Sequence, residues 1–316
     1  MPVLPHEVLG AWLPPHAHHT DGRFVDCTLG GGGHAALLLR AAPRATLLGL
    51  DRDSDALVAS LGTLSEAGVV ARAMLRKDTF AHVAEQCASL GWTGRSVDGV
   101  LADLGVSSWQ LDSPRGFSYA DASAPLDMRF DAEDSLGLRA ADLIAHASEV
   151  ELARVLRDFG EEPAAAAVAR AMVEQRDRAT PIETGAQLSA IVEHVVRRRA
   201  RHTGGDASDA RRATARVFQA LRIAVNDEMG AVAALLAAVP PLLRPGGRFA
   251  VISFHSLEDR LVKAAFRRLV DGGEASGGRW RHVTRGPATA TEAEIALNSR
   301  ARSAKLRAVE LTMPPS

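Results

Sequence analysis

The stretch Asp26-Cys27-Thr28-Leu29-Gly30-Gly31-Gly32-Gly33-His34 narrows the folds open to this chain more than any other. Phe24 and Val25 before it read as a buried strand ending on a carboxylate, and Ala35-Ala36-Leu37-Leu38-Leu39 after it reads as a helix. Strand, glycine turn and helix open a nucleotide-binding α/β unit, because glycine turns tightly and lets a ligand approach where a Cβ would stand. Gly30-x-Gly32-x-x-Ala35 also fits the dinucleotide fingerprint, and a glycine run by itself is equally a flexible turn. A second apolar strand, Leu47-Leu48-Gly49-Leu50, ends on Asp51, 21 residues after Gly30. An acid at that distance and at a strand tip is placed to hydrogen-bond a ribose diol. The stretch is expected to bind an adenosine-type cofactor, and at this point which one is open.

The same alternation continues down the chain. A helix from Ala56 to Ala67 leads to a third strand, Val69 to Leu75, and then to Lys77-Asp78-Thr79-Phe80. Phe80 is placed either to cover an adenine or to start the next helix as a core residue. Val97 to Ala102, ending on Asp103, is the fourth strand. Asp26, Asp51, Asp78 and Asp103 thus fall at the carboxyl ends of successive strands, where open α/β sheets bind ligands. One such acid is an ordinary turn residue; four point to a polar ligand site.

Beyond Asp103 the alternation stops. Ser148-x-x-Glu151 and Thr184-x-x-Gln187 are capping boxes, each followed by apolar residues at i, i+3, i+4 and i+7. The stretch 113–209 contains no convincing strand, so it is expected to be an inserted helical domain, with 1–112 and 210–316 forming a discontinuous core. The core resumes with a long helix from about Ala210 to Val239, the turn Leu243-Arg244-Pro245-Gly246-Gly247 and a strand from Arg248 to Phe254. Ser256-x-x-Asp259 is expected to cap the next helix, and His282–Thr284 and Arg307–Thr312 to close the sheet. The fold class is α/β, a doubly wound Rossmann-like sheet with an inserted all-helical domain.

Composition removes several function classes. The 316 residues are 47% hydrophobic and 24% charged, as in a soluble globular protein with a sizeable core. No run of about 18 apolar residues exists, so no membrane span is expected. The N-terminus lacks the basic-then-apolar pattern of a secretion signal, and two cysteines, Cys27 and Cys87, suit a reducing compartment. Net charge is −1, so the chain as a whole is not a basic nucleic-acid binder. Lysine occurs only at 77, 263 and 305, and arginine supplies the other 34 of the 37 basic residues. A bias that uniform says little about function; the position of an arginine says more. His16, His18 and His19 crowd one segment without a cysteine or carboxylate at ligand spacing, and no metal is expected.

The choice of cofactor turns on what accompanies the glycine loop. A nicotinamide enzyme of the Tyr-x-x-x-Lys type is excluded, since the sole tyrosine, Tyr119, has no lysine four residues on. A Leu-x-Pro-Gly-Gly turn before the fifth strand is common in class I S-adenosylmethionine methyltransferases. Longer motifs are more specific: Asp26 to His34, Asp51-Arg52-Asp53, Asp103 to Asp112, Arg115-Gly116-Phe117-Ser118, Pro125-Leu126-Asp127-Met128-Arg129, Gly160-Glu161-Glu162, Ala213 to Arg222 and Ile252 to Arg260. Together, and in this order from His6 to Arg307, they resemble the RsmH (formerly MraW) family of bacterial 16S rRNA (cytosine-N4) methyltransferases.

The resemblance implies a cytoplasmic enzyme that uses S-adenosyl-L-methionine to methylate a cytidine in the decoding region of 16S rRNA. It implies the small ribosomal subunit as partner, no membrane, and leaves a homodimer open. Carried over motif by motif, it places Gly32, Gly33 and His34 on the cofactor, Asp51 on the ribose, Phe80 beside the adenine, and Asp103 and Gln110 near the methyl group. Ala215 departs from relatives that run Thr directly into Arg, a change confined to one helix face. Asp103 is the candidate acceptor for a proton of the cytosine amine, with Ser107 and Ser108 orienting the base. The DNA N4-methyltransferase segment Asn/Ser/Asp-Pro-Pro-aromatic is absent, so that template does not transfer. A non-catalytic rRNA-binding assembly factor that keeps the fold is the alternative, and the intact set of loop and strand-tip residues disfavours it. Arg197, Arg198, Arg199 and Arg201, with Arg211, Arg212 and Arg216 beyond Gly204-Gly205, form a local basic run expected to meet rRNA phosphates.

Overall fold

Short apolar runs build a single sheet from Arg23–Asp26 (β1), Thr46–Asp51 (β2), Ala73–Lys77 (β3), Val97–Asp103 (β4), Leu243–Ser253 (β5), Trp280–His282 (β6) and Lys305–Leu311 (β7). The strand order is β3-β2-β1-β4-β5-β7-β6; the first five run parallel, and β7 lies antiparallel between β5 and β6. The computed structural model describes residues 2–18, 21–107, 110–111, 113–117, 123–131, 133–134, 137–178, 181–203, 208–273 and 277–312.

Helices Pro5–Trp12 (α1), Gly33–Ala41 (α2), Ser54–Glu66 (α3) and Val83–Ser89 (α4) precede β4. Between β4 and β5 come Ala140–His146 (α5), Glu149–Asp158 (α6), Ala165–Asp177 (α7), Gly185–Thr203 (α8), Ser208–Asn226 (α9) and Glu228–Ala238 (α10). Ser256–Asp271 (α11) and Glu292–Leu297 (α12) follow. Neighbouring strand residues part to opposite faces, as the two-residue period requires. Phe24, Leu47, Leu101 and Ile252 pack with α1 and α2 on one face. Val25, Leu48, Val100 and Phe249 pack with α4, α10 and α11 on the other. A sheet buried on both sides explains why its strands read as near-continuous apolar runs. The sheet is doubly wound and Rossmann-like, as expected from the sequence.

The chain divides into two compact units, one of residues 1–105 and 229–316 and one of residues 106–228. The helical unit therefore starts before 113 and ends after 209, correcting both expected boundaries. At the far end the reason is α9: Ala213, Val217, Phe218, Ala220 and Leu221 are buried in the core shared by α5 to α8. The helix expected to run on to Val239 breaks at Asp227, whose φ of 48° lies in the left-handed region. Within the helical unit both expected capping boxes are present: Glu151 and Ser148 cap each other reciprocally, and Gln187 Oε1 accepts from the amide of Thr184 at 3.0 Å.

Other elements shift as well: β5 begins at Leu243 rather than Arg248, taking in the expected turn, and β6 spans Trp280–His282 rather than His282–Thr284. The third strand begins at Ala73 rather than Val69, because 70–72 form a 3-10 turn from which Arg72 donates to the carbonyls of Leu39, Ala42 and Ala45 near the end of α2. The cap of α11 is His255 rather than Ser256, since the buried carboxylate of Glu258 accepts from the amide of Phe254 at 2.8 Å. Among the described residues, no single helix is long and apolar enough to cross a membrane.

Candidate cofactor site

β1 and β4 are adjacent and parallel, with β2 beyond one and β5 beyond the other, so the chain leaves their carboxyl ends in opposite directions. Such a divergence is where doubly wound sheets accept ligands. Asp26, Asp51 and Asp103 end β1, β2 and β4.

Asp51 organises the glycine loop before any ligand arrives. Its Oδ2 accepts from the amide of Gly30 at 2.7 Å and its Oδ1 from the amide of Asp53 at 2.9 Å. The first bond ties the turn after β1 to the tip of β2, and the second starts the turn into α3. Burial pushes this carboxyl up to about 6, against the pull of the amides of Asp53 and Gly30. Gly32 has φ 76°, and a Cβ there would lie 3.1 Å from the Ser60 side chain on α3, so both conformation and space demand glycine. Gly33 opens α2, and a Cβ on it would press against Pro2 at 3.2 Å.

Asp26 and Thr28, absent from the expected binding set, complete the lattice. Thr28 donates its amide to Asp26 Oδ1 at 3.2 Å and accepts the amide of Asp103 on its hydroxyl at 2.6 Å. Asp26 is 1% exposed, and burial raises its carboxyl to about 7, with His34 opposing that rise. The strand-end pattern had marked Asp26 as polar at a buried tip; nothing local marked Thr28, whose partner is remote in sequence.

His34 and Asp103 carry the strongest ligand signal. His34 Nε2 stands 3.7 Å from Asp103 Oδ2. Both ring nitrogens of His34 and Oδ1 of Asp103 are buried without a hydrogen-bond partner among the described residues. Buried polar atoms are normally satisfied, so three orphans at one place fit a polar ligand. The residues suit S-adenosyl-L-methionine: an acid at the ribose position, a glycine turn closed to any Cβ, and buried polar groups awaiting partners.

Phe80 starts a 3-10 turn after β3, is half-buried, and packs against the core beside α4. Asp78 does not join the other three acids. It accepts from Thr79 N, His82 Nδ1 and Gln86 Nε2 at 2.7, 2.8 and 2.6 Å, and acts as a local cap. Burial pushes its carboxyl up, but these bonds together hold it below the usual carboxylate value. Gln110 and Ser107 lie in the helical unit, where Gln110 Oε1 accepts from Ser107 N at 2.9 Å and Ser107 Oγ accepts from Gln110 N at 3.2 Å. Ser108 lies outside the described residues.

The sequence model of the MraW methylase family matches residues 1–312. The chain is 42% identical to the ribosomal RNA small subunit methyltransferase H of Heliobacterium modesticaldum, with 98% of this chain and 97% of that one aligned. It is 44% identical to the protein of the same name in Symbiobacterium thermophilum (98% and 95% covered) and 42% identical to that of Nitrobacter hamburgensis (100% and 92% covered).

Proposed function

The chain belongs to the MraW methylase family, and from that premise we propose that it methylates N4 of a cytidine in the decoding region of 16S rRNA. It is a methyltransferase whose methyl donor is S-adenosyl-L-methionine. The observation that carries the reading is the trio of buried, unpartnered atoms on His34 and Asp103 at the tip of β4, beside a glycine loop already pinned by Asp51.

When bound, S-adenosyl-L-methionine supplies an electrophilic methyl group on its sulfonium. The cytosine amine is a poor nucleophile because its lone pair is delocalised into the ring, so the protein's task is alignment and withdrawal of a proton. In this reading Gly32, Gly33 and His34 seat the cofactor, Asp51 holds the ribose and Phe80 flanks the adenine. Asp103 accepts a hydrogen bond from N4 and draws electron density onto it. Ser107, whose hydroxyl proton is not used in accepting from Gln110 N, orients the base together with Ser108. The target nucleotide must leave its stack to reach such a group. Gln110 is assigned to the methionine end, with 16S rRNA, free or in the small ribosomal subunit, as substrate and the cytoplasm as the place of action.

The test is methylation of 16S rRNA, free and in assembled small subunits, with labelled donor and mass-spectrometric mapping of the product. N4-methylcytidine within the decoding region is expected in one or both forms. Methyl transfer to another base or another ring atom would overturn the reading. Binding of S-adenosylhomocysteine and rRNA without any transfer would instead make the protein an assembly factor.

A further inference from the structure

On the helical unit, α7, α8 and the turn between them enclose a groove of about 520 Å³. α7 presents Glu174 and Gln175 to it, with Arg178 just past its end, and α8 presents Ile191, His194 and Arg198. These positions recur at three- and four-residue spacing, so each set is one face of its helix. Ile182, buried between the helices, forms the floor with Ile191.

The arginines in this groove differ from most others of the helical unit. Arg139 forks Asp142, Arg176 donates to the carbonyls of Ile144 and Ala147, Arg216 meets Glu162, and Arg222 forks Glu228. Within the basic run singled out from the sequence, Arg197 pairs with Glu193, Arg199 donates to the carbonyl of Pro163, and Arg212 pairs with Asp209. Arg178 and Arg198 have no ion pair or hydrogen bond among the described residues, and both face the one groove. His194 is equally without a partner among the described residues, and the Gln187 Oε1 is already taken by the amides of Glu183 and Thr184, leaving its NH2 as an available donor.

We infer that this groove binds a single-stranded segment of the RNA substrate, with a phosphate held by Arg178 and Arg198 and a base or ribose lying over Ile182 and Ile191. Two unpaired guanidiniums give the charge complementarity a phosphodiester needs. An apolar floor with an imidazole and side-chain amides at its rim is what a splayed-out nucleotide requires, and a simple anion does not. Glu174 is the one acid on the rim and accepts from a 2′-hydroxyl or a base amine, a contact that a polyanion lacking such donors cannot offer. The basic run is thereby reassigned: Arg198 serves the RNA, while Arg197 and Arg199 serve the helices. The inference rests on the rRNA reading above and adds the place on the helical unit where the strand is held.

The test uses the full-length protein and a fluorescein-labelled single-stranded RNA carrying the decoding-region sequence, with anisotropy measured across a salt series. Arg178→Gln with Arg198→Gln is expected to weaken binding about fivefold or more near 100 mM salt. It is also expected to lower the log–log salt slope by about 1.4, two lost phosphate contacts at about 0.7 each. Ala190→Trp, at an exposed groove position, removes no charge and fills the space; it is expected to weaken binding comparably. Arg154→Gln with Arg157→Gln removes the same charge from exposed positions outside both the groove and the basic run and is expected to leave the slope unchanged. Equal slopes for wild type and the groove variant, or equal flattening by the control pair, would overturn the groove assignment while leaving the rRNA reading intact. A wild-type protein that does not bind this RNA would overturn the groove assignment, and one that also fails to methylate 16S rRNA, free and in assembled subunits, would overturn the rRNA reading itself.

Discussion

In the helical unit Glu162 is buried, takes Arg216 at 2.8 Å on one oxygen and caps the amide of Ala164 at 2.8 Å with the other. Beside the strand tips of the sheet unit His34 is buried and Asp103 half-buried, yet both ring nitrogens of His34 and the buried Oδ1 of Asp103 have no hydrogen-bond partner among the described residues. A buried carboxylate that is fully paired contributes to the fold; one left unpaired costs free energy until something binds it. The motifs of the two units consequently do different work. Gly160-Glu161-Glu162 and the Ala213–Arg222 helix are bound to each other: Gln219 donates to the carbonyl of Phe159, and a Cβ on Gly160 would collide with the carbonyl of Arg216 at 2.7 Å. Their specificity is structural. The Asp26–His34 and Asp103 motifs hold open polar positions, and theirs is chemical.

The strongest way to break this contrast is Asp103→Asn. It is expected to lower methyl transfer by about 10²–10³-fold, the scale of one misplaced transition-state group. Because Asp103 Oδ1 has no partner to lose among the described residues, the melting temperature should hold or rise. A variant that melts several degrees lower with normal turnover would make Asp103 a structural acid like Glu162.

Glu162→Ala should do the reverse. Removing the charge-assisted bonds to Arg216 and the cap on Ala164 is expected to cost about 2–3 kcal/mol in denaturant unfolding of the helical unit. Calorimetric affinity for S-adenosylhomocysteine should not change. A weaker cofactor affinity with unchanged stability would remove the division of labour between the units.

The acids also differ in their response to pH. Asp51 and Asp26 are raised to about 6 and about 7, both by burial first. The folded chain then holds more protons than the unfolded chain between the usual carboxylate range and those values, so ionising them works against the fold as pH rises through that window. Asp142 is held below its ordinary value by Arg139, so its contribution is present above the unfolded pKa and is lost as pH falls. An ionised Asp51 is the better acceptor for ribose hydroxyls. Affinity for S-adenosylhomocysteine is therefore expected to rise with pH between about 5 and 7, by up to about tenfold per unit below the pKa, and then level off. Asp51→Ala should abolish that rise and cost about 1.5–3 kcal/mol of binding, part of it through the glycine turn it pins. A pH-independent affinity in the wild type would remove the ribose from Asp51.

The smallest effect sharpens the position of Phe80, which packs on the core and is also assigned to the adenine. Phe80→Leu keeps apolar volume and loses the ring, so cofactor affinity should fall by about 0.5–1.5 kcal/mol with little change in stability. If only stability changes, Phe80 is a core residue alone.

Much of the sheet unit, and the capped helices of the second unit, were legible because their signals are local. A glycine run after a strand, an acid at the next strand's tip, and Ser-x-x-Glu before an apolar period each act within a few residues, where φ, turn chemistry and side-chain period decide the outcome. Sequence by itself determined the strand tips, the glycine turn after β1, and the capped helices of the second unit, while the contact with Ser60 on α3 that bars a Cβ at Gly32 is tertiary. It could not separate Asp78 from its three counterparts, since a cap through His82 and Gln86 and a ligand acid look alike in one dimension. Tertiary structure alone decided which charges are already spent. Glu162 and Arg216 lie 54 residues apart, Thr28 and Asp103 75, and the arginines of one basic run divide between partners that only folding brings near. Pairing is a property of distances in space, and for a charged or polar side chain it is pairing that separates a strut from a site.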